Sequence, residues 1–208
     1  YPTEYERLKN YIKAGRWNIS GSSWDSTDSN IPSPESFFRN LLYGQEFFKK
    51  EFGKKSNDIF LPDCFGFGYT LPTIAAHSGI IGFSTQKLQH RKLPFYGDHK
   101  LPFMFGLWEG IDGSRIMAVP HAQDYVSRFD GQELSSNGKL VDLAKNGLNN
   151  TVYHYYGAGD RGGSPTIASV RSVETGMKGE GPGQIISARS GQLFDDYYPF
   201  EKHPELPV

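Results

Sequence analysis

A chain of 208 residues is long enough for one domain with a buried core, which excludes a disordered tail or a disulfide miniprotein. Lys and Arg total 22 against 23 Asp and Glu, a net charge of −1 that argues against a nucleic-acid or anionic-membrane partner. A single cysteine, Cys64, excludes an internal disulfide and a thiolate-rich zinc site, and apolar runs such as Ile80-Ile81-Gly82-Phe83 fall far short of the ~20 residues of a membrane span.

The chain opens at Tyr1-Pro2-Thr3 without an initiator Met or a signal peptide and stops abruptly at Pro207-Val208, as expected of a piece of a longer polypeptide. Thr3 and Glu6 have capping-box spacing, and Tyr5, Leu8 and Ile12 follow at helical intervals, so a helix is predicted over about 3–14, stopped by Gly15. Trp17 to Trp24 reads as a short strand leading into the polar loop 25–30. Ser33-Pro34-Glu35 then has the cap, the first-turn proline and the acid of a helix start, and Gly53 its stop; Phe37, Leu41, Phe48 and Phe52 form the apolar stripe between them. Residues 58–61 are brief and apolar, as expected of a buried parallel strand, and end in Pro62-Asp63. A short helix near 71–78 precedes a strand over 80–84, which ends in Thr85-Gln86-Lys87. Further strands are predicted at about 104–109 and 115–120, with a hairpin through Asp112-Gly113, and at 151–156 and 184–187. Helices are predicted over 138–147, 164–178 and 189–198. Strands alternating with helices point to an α/β architecture with a mainly parallel sheet or barrel, whose ligands sit beyond the carboxyl ends of the strands.

That rule directs attention to Asp63, Lys87 and Asp160. Asp63 lies in Leu61-Pro62-Asp63-Cys64-Phe65-Gly66-Phe67-Gly68, directly after a buried strand, in a loop whose glycines allow close approach. It is either a catalytic carboxylate or a loop aspartate that caps the next turn. Asp160 ends Tyr156-Gly157-Ala158-Gly159-Asp160, a glycine-rich strand-to-helix loop with neither a Walker pattern nor a dinucleotide fingerprint. Two strand-end carboxylates are the minimum set for glycoside hydrolysis, one protonated and one ionised. The composition, with 15 Phe, 12 Tyr and 3 Trp beside 24 Gly, suits aromatic-lined loops of the kind that bind sugars. The six histidines, at 77, 90, 99, 121, 154 and 203, have no metal-ligand spacing.

Five blocks in order give these residues a family context: Ser23 to Ser36, Phe60-Leu61-Pro62-Asp63-Cys64-Phe65-Gly66, Phe83-Ser84-Thr85-Gln86-Lys87-Leu88, Leu107 to Arg115, and Tyr156 to Asp160. Nearly along its whole length the chain resembles the catalytic domain of glycoside hydrolase family 38, the retaining α-mannosidases. The wording of the blocks is most similar to the bacterial and cytosolic or vacuolar branch, which implies a bacterial cytoplasm or periplasm. The resemblance implies a (β/α)7-barrel-like domain of mainly parallel strands, of which residues 1–208 are a part lacking both flanks. It also implies a zinc ion beside the nucleophile. Asp63 matches the nucleophile, which also ligates zinc; Asp160 matches the region of the acid/base, although another branch has two consecutive aspartates where this chain has Asp160-Arg161. Lys87 falls where other members carry a cation near the nucleophile, against a solvated strand-end lysine as the alternative. Asp124-Tyr125 matches a sugar-contacting loop, and Asp28 either shapes the same cleft or caps its own loop. The family's H-x-D pair and later histidine are absent, so the other zinc ligands are expected elsewhere in the same polypeptide, and the isolated chain is expected to be inactive. The implied substrate is an α-mannoside oligosaccharide or glycan, with no nucleic acid or membrane as partner and a homo-oligomer left open. The rival readings are a non-catalytic carbohydrate-binding domain and a different zinc hydrolase such as a polysaccharide deacetylase.

Overall fold

The computed structural model describes residues 1–88, 91–93, 97–160 and 162–208. In chain order the elements are α1 (Pro2–Lys13), α2 (Pro34–Phe52), β1 (Asp58–Phe60), α3 (Leu71–His77), β2 (Gly82–Ser84), β3 (Arg91–Leu93), β4 (Gly97–His99), β5 (Gly106–Glu109), β6 (Arg115–Val119), β7 (Val126–Ser127), α4 (Gly138–Lys145), β8 (Gly157–Ala158), α5 (Ile167–Gly176) and α6 (Gln192–Asp196), with 3-10 turns at Leu148–Asn150 and Phe200–Lys202.

The main sheet has the order β1-β2-β6-β5. β1 and β6 flank β2 in parallel, with Phe60 opposite Ser84 and Ser84 opposite Val119, and β5 returns antiparallel to β6 with Glu109 opposite Arg115. β3 with β4 and β7 with β8 form separate antiparallel pairs. Both faces of the main sheet are buried. On β6, Ile116 and Ala118 join a core with Phe37 and Leu41 of α2, Ile59 of β1 and Ile74 of α3, while Met117 and Val119 face a second core with Tyr155, Phe194 and Phe200. This alternation is the period-two rule of a strand covered on both sides. Gly82 lies where a Cβ would come within 2.0 Å of the Phe194 ring, so the absence of a side chain is what lets α6 lie against β2.

The expectation of a (β/α)7-barrel-like domain of mainly parallel strands is overturned: among the described residues the main sheet is open, mixed and four-stranded. Closing a barrel requires the two edge strands to find strand partners, and here irregular chain covers both edges. At β1 the Ser22 hydroxyl donates to the Asp58 carbonyl at 2.7 Å. At β5 the Leu107 amide donates to the carbonyl of Pro207 at 2.7 Å. The segment 17–24, predicted as a strand, lies at the β1 edge without joining a ladder, because Gly21 and Ser22 have φ of 94° and 57°. Two consecutive left-handed residues cannot continue an extended strand. Residues 151–156 run beside the segment after β6, bonded once through the Tyr155 amide to the Ala122 carbonyl at 2.8 Å, but only 157–158 form ladder pairs. Residues 184–187, predicted as a strand, find no strand partner among the described residues, and only Ile185 is half-buried. α2 forms as predicted: Ser33 caps it by accepting from the Ser36 amide at 3.2 Å, and Gly53 ends it in the left-handed region. α1 instead starts at Pro2 without a side-chain cap, since a proline in the first turn is already set to the helical φ.

Candidate active site

Parallel pairing of β1 and β2 brings the loops that leave their carboxyl ends to the same edge of the sheet. Asp63 lies three residues beyond Phe60 and Lys87 three beyond Ser84, and those strand ends are register partners. The two side chains meet, Lys87 Nζ standing 2.6 Å from Asp63 Oδ1. The turn that carries Lys87 is held from below. Thr85 is fully buried, its amide donates to the Val119 carbonyl and its carbonyl accepts from the Ala122 amide, while its hydroxyl accepts from the Lys87 amide at 3.2 Å. The Lys87 ammonium also lies 5.0 Å from the Phe65 ring centre and 5.6 Å from that of Tyr125, within cation–π range.

Tyr125 completes this contact, its hydroxyl donating to Asp63 Oδ1 at 3.3 Å. The hydrogen-bonded Lys87 ammonium, with help from the Tyr125 hydroxyl, holds the Asp63 carboxyl below its ordinary range, and in return Asp63 raises Lys87. Burial, then the charges of Asp63 and Asp160, push the Tyr125 phenol up, so it stays a proton donor at neutral pH. An ionised carboxylate, an ammonium and a phenol O–H therefore converge at one point, with both donors on a single carboxylate oxygen.

Asp160 arrives through the β7–β8 pair. The Gly159 amide donates to the Tyr125 carbonyl at 3.0 Å, and a Cβ on Gly159 would come within 2.1 Å of the Tyr125 ring. Asp160 itself has φ of 68°, an uncommon conformation that aspartate tolerates better than most residues. With Gln86, His121, Asp124 and Tyr125 it lines a crevice of about 450 Å³, and its charge bears on both Lys87 and Tyr125. A larger crevice of about 640 Å³, between Glu133–Ser136 and Arg171–Gly181, contains none of the residues singled out in the sequence.

Of the sequence-derived candidates, the fold thus brings Asp63, Lys87 and Tyr125 into direct contact and sets Asp160 in the crevice that Tyr125 also lines. Asp124 lines the crevice, but its Oδ1 accepts from the Val126 amide at 2.7 Å and so shapes the start of β7. Asp28 lies one loop away, where its Oδ1 accepts from the amides of Asn30 and Ile31 at 2.7 and 3.1 Å. Its loop is tied to the Asp63 loop by Ser29 Oγ on the Gly66 carbonyl and Cys64 Sγ on the Thr27 carbonyl. Arg161 and His90 lie outside the described residues. Sequence reasoning passed over Gln86, Phe65 and His121 as individual residues, although the first two stand in the strand-end motifs beside Lys87 and Asp63.

A zinc ion needs several protein ligands converging on one point. Among the described residues no three of His, Cys, Asp and Glu do so, and Asp63 already has an ammonium on one oxygen. His121 and His154 direct Nδ1 to the carbonyls of Gln86 and Tyr155. The donor set described for this chain does not by itself fit zinc. No helix among the described residues is long and apolar enough to cross a membrane.

Comparison with known proteins agrees with the sequence blocks. Alpha-mannosidase G of Dictyostelium discoideum is 40% identical over 203 residues, 96% of this chain and 18% of that protein. Alpha-mannosidase 2C1 of Homo sapiens is 33% identical over 198 residues, 93% of this chain and again 18% of the relative. The chain thus spans under a fifth of the length of these curated relatives. The crystal structure of an alpha-mannosidase from Enterococcus faecalis V583 superposes with a TM-score of 0.66 over 99% of this chain and 22% of that one, at 20% identity, a likeness of fold. Residues 1–198 match the family described as "Glycosyl hydrolases family 38 N-terminal domain", and the chain belongs to that family.

Proposed function

We propose that this chain is the part of a retaining α-mannosidase that carries the nucleophile, Asp63, and the acid/base, Asp160, and that the longer polypeptide hydrolyses terminal α-linked mannose from oligosaccharides or glycans. The observation that supports it best is the ionised Asp63, held by Lys87 at the shared end of two parallel strands, with Asp160 near enough for its charge to act on Lys87 and Tyr125. The printed names of the relatives point the same way.

In the proposed double displacement, Asp63 attacks the anomeric carbon while the glycosidic C–O bond breaks and Asp160 gives its proton to the leaving oxygen. Lys87 and Tyr125 both engage Oδ1, which leaves Oδ2 for the attack. Water then attacks the same carbon, Asp160 takes its proton, and the electron pair of the ester bond returns to Asp63. Lys87 acts most in this second step, because the carboxylate regains its charge next to a fixed ammonium. The Tyr125 ring offers an apolar face for the pyranose. The proposed zinc would draw at most Asp63 from this site, its other ligands coming from the rest of the polypeptide. By the same reasoning the 208-residue chain alone turns over no mannoside.

The test is mannose release from p-nitrophenyl α-mannoside by the full-length protein, wild type beside Asp63→Ala, with zinc and after chelation. Loss of turnover in both the variant and the chelated sample supports the reading. Turnover that survives Asp63→Ala, or a wild type that binds mannosides without cleaving them, overturns it, and the latter outcome favours a carbohydrate-binding domain.

A further inference from the structure

Tyr125 touches both proposed carboxylate loops by different parts of one residue. Its hydroxyl donates to Asp63, and its carbonyl accepts the amide of Gly159, the residue before Asp160. The position of this residue therefore sets the relation between two loops that are 97 positions apart in sequence, Asp63 following β1 and Asp160 following β8. What holds Tyr125 is a third segment. Its backbone amide donates to Oε1 of Gln86 at 2.9 Å, and the Gln86 side chain belongs to a residue only 8% exposed.

Gln86 is itself fixed from two directions. Its carbonyl accepts His121 Nδ1–H at 2.7 Å. Its neighbours Thr85 and Lys87 are tied, respectively, to the backbone after β6 and to Asp63. A buried amide oxygen with its main chain anchored on both sides is a stiff acceptor, and a stiff acceptor orients its donor. We infer that Gln86 is a positioning residue: through the Tyr125 amide it holds the Tyr125 hydroxyl on Asp63 and the Tyr125 carbonyl on the Asp160 loop. The described bond of its side chain goes to the Tyr125 amide and not to Asp63 or Asp160. The assignment rests on the proposed roles of Asp63 and Asp160 for its consequence in catalysis, but not for its consequence in the backbone.

Gln86→Leu keeps the volume and removes the acceptor; Gln86→Glu keeps an acceptor oxygen at the same reach. In the full-length protein, hydrogen exchange read by mass spectrometry should be about tenfold or more faster in Gln86→Leu for peptides spanning 121–127 and 156–160, and near wild type in Gln86→Glu. On p-nitrophenyl α-mannoside, Gln86→Leu should lower kcat by roughly tenfold to a hundredfold while KM moves less than about threefold, since misplacing reacting groups acts on the transition state. The effect should be strongly non-additive with Tyr125→Phe. Should Gln86→Leu not fold, Gln86→Asn, one methylene too short to reach the amide, takes its place. Unchanged exchange in both peptides overturns the inference, and so does unchanged kcat in an active enzyme. A wild type without mannosidase activity defeats the functional reading instead, and the exchange rates still decide the role of Gln86.

Discussion

At Asp63 a contact of 2.6 Å with Lys87 forms although the carboxylate side chain is 57% exposed, so its value lies in protonation state and orientation more than in stability. Replacing Lys87 with Met removes the main cause that keeps the Asp63 carboxyl low. Its pKa then rises toward the ordinary range, and the acid limb of kcat/KM for the full-length enzyme should move to higher pH with a loss of about tenfold or more at neutral pH. A pH–rate profile checks this, and an unmoved acid limb would show that Lys87 does not govern the protonation of Asp63, the proposed nucleophile. Asp63 and Lys87 were both legible in the sequence because each follows a short apolar run bounded by turn residues, the pattern of a buried strand. Asp58 was not singled out, although the predicted strand 58–61 begins with it, because the partners that bury its carboxylate come from residues 20–22, remote in sequence. In the fold Asp58 is fully buried and accepts from Ser20 Oγ at 2.6 Å, Ser56 Oγ at 2.7 Å and the Gly21 amide at 3.3 Å. Burial raises its carboxyl despite those donors. The folded chain therefore holds this proton more tightly than the unfolded chain. The stability so gained is complete below the ordinary aspartate pKa of about 4 and is lost as pH rises through the folded value. Asp58→Asn should flatten that fall in denaturation midpoint with pH, whereas Asp58→Ala, which strands three donors, should cost about 1–3 kcal/mol.

Among the elements, α2 and the β5–β6 hairpin are where local sequence and structure agree most closely. Ser33, Pro34 and Gly53 are signals that act within one turn of the chain, and Asp112-Gly113 sits at a turn where Gly113 has φ of 82°. The segment 17–24 shows the opposite case. Its apolar and polar residues suit a strand, but its hydroxyls satisfy the Asp58 side chain and carbonyl instead of a ladder. At β2, Gly82 faces Phe194 so closely that no side chain fits between the strand and α6. Gly82→Ala should therefore destabilise the fold by about 1–3 kcal/mol through overpacking. Combining it with Phe194→Leu should recover part of the loss, because the smaller side chain leaves room for the added methyl. Chemical denaturation of the single and double variants measures both, and a Gly82→Ala protein as stable as wild type would contradict the packing.

For the whole molecule, the chain supplies less than a fifth of the length of its curated relatives, so the proposed chemistry belongs to the longer protein. If Asp63 forms a covalent intermediate, the first product released from an α-mannoside by that protein should be α-mannose, which proton NMR resolves before mutarotation. Initial release of β-mannose would exclude the nucleophilic role. The sequence by itself determined the family, the α/β character, the strand ends that carry charge and the absence of a disulfide within these 208 residues, because motifs, apolar runs and turn residues are written locally. It did not determine closure. Whether a sheet closes depends on what lies at its two edges, and here that was decided by residues 20–22 and by Pro207, segments remote in sequence from the strands they cover. Nor could spacing reveal that Tyr125 and Gln86 join the two carboxylate loops. That link consists of hydrogen bonds spanning 62, 39 and 34 positions, and contacts at such separations exist only once parallel pairing and burial on both faces have brought the strand ends together.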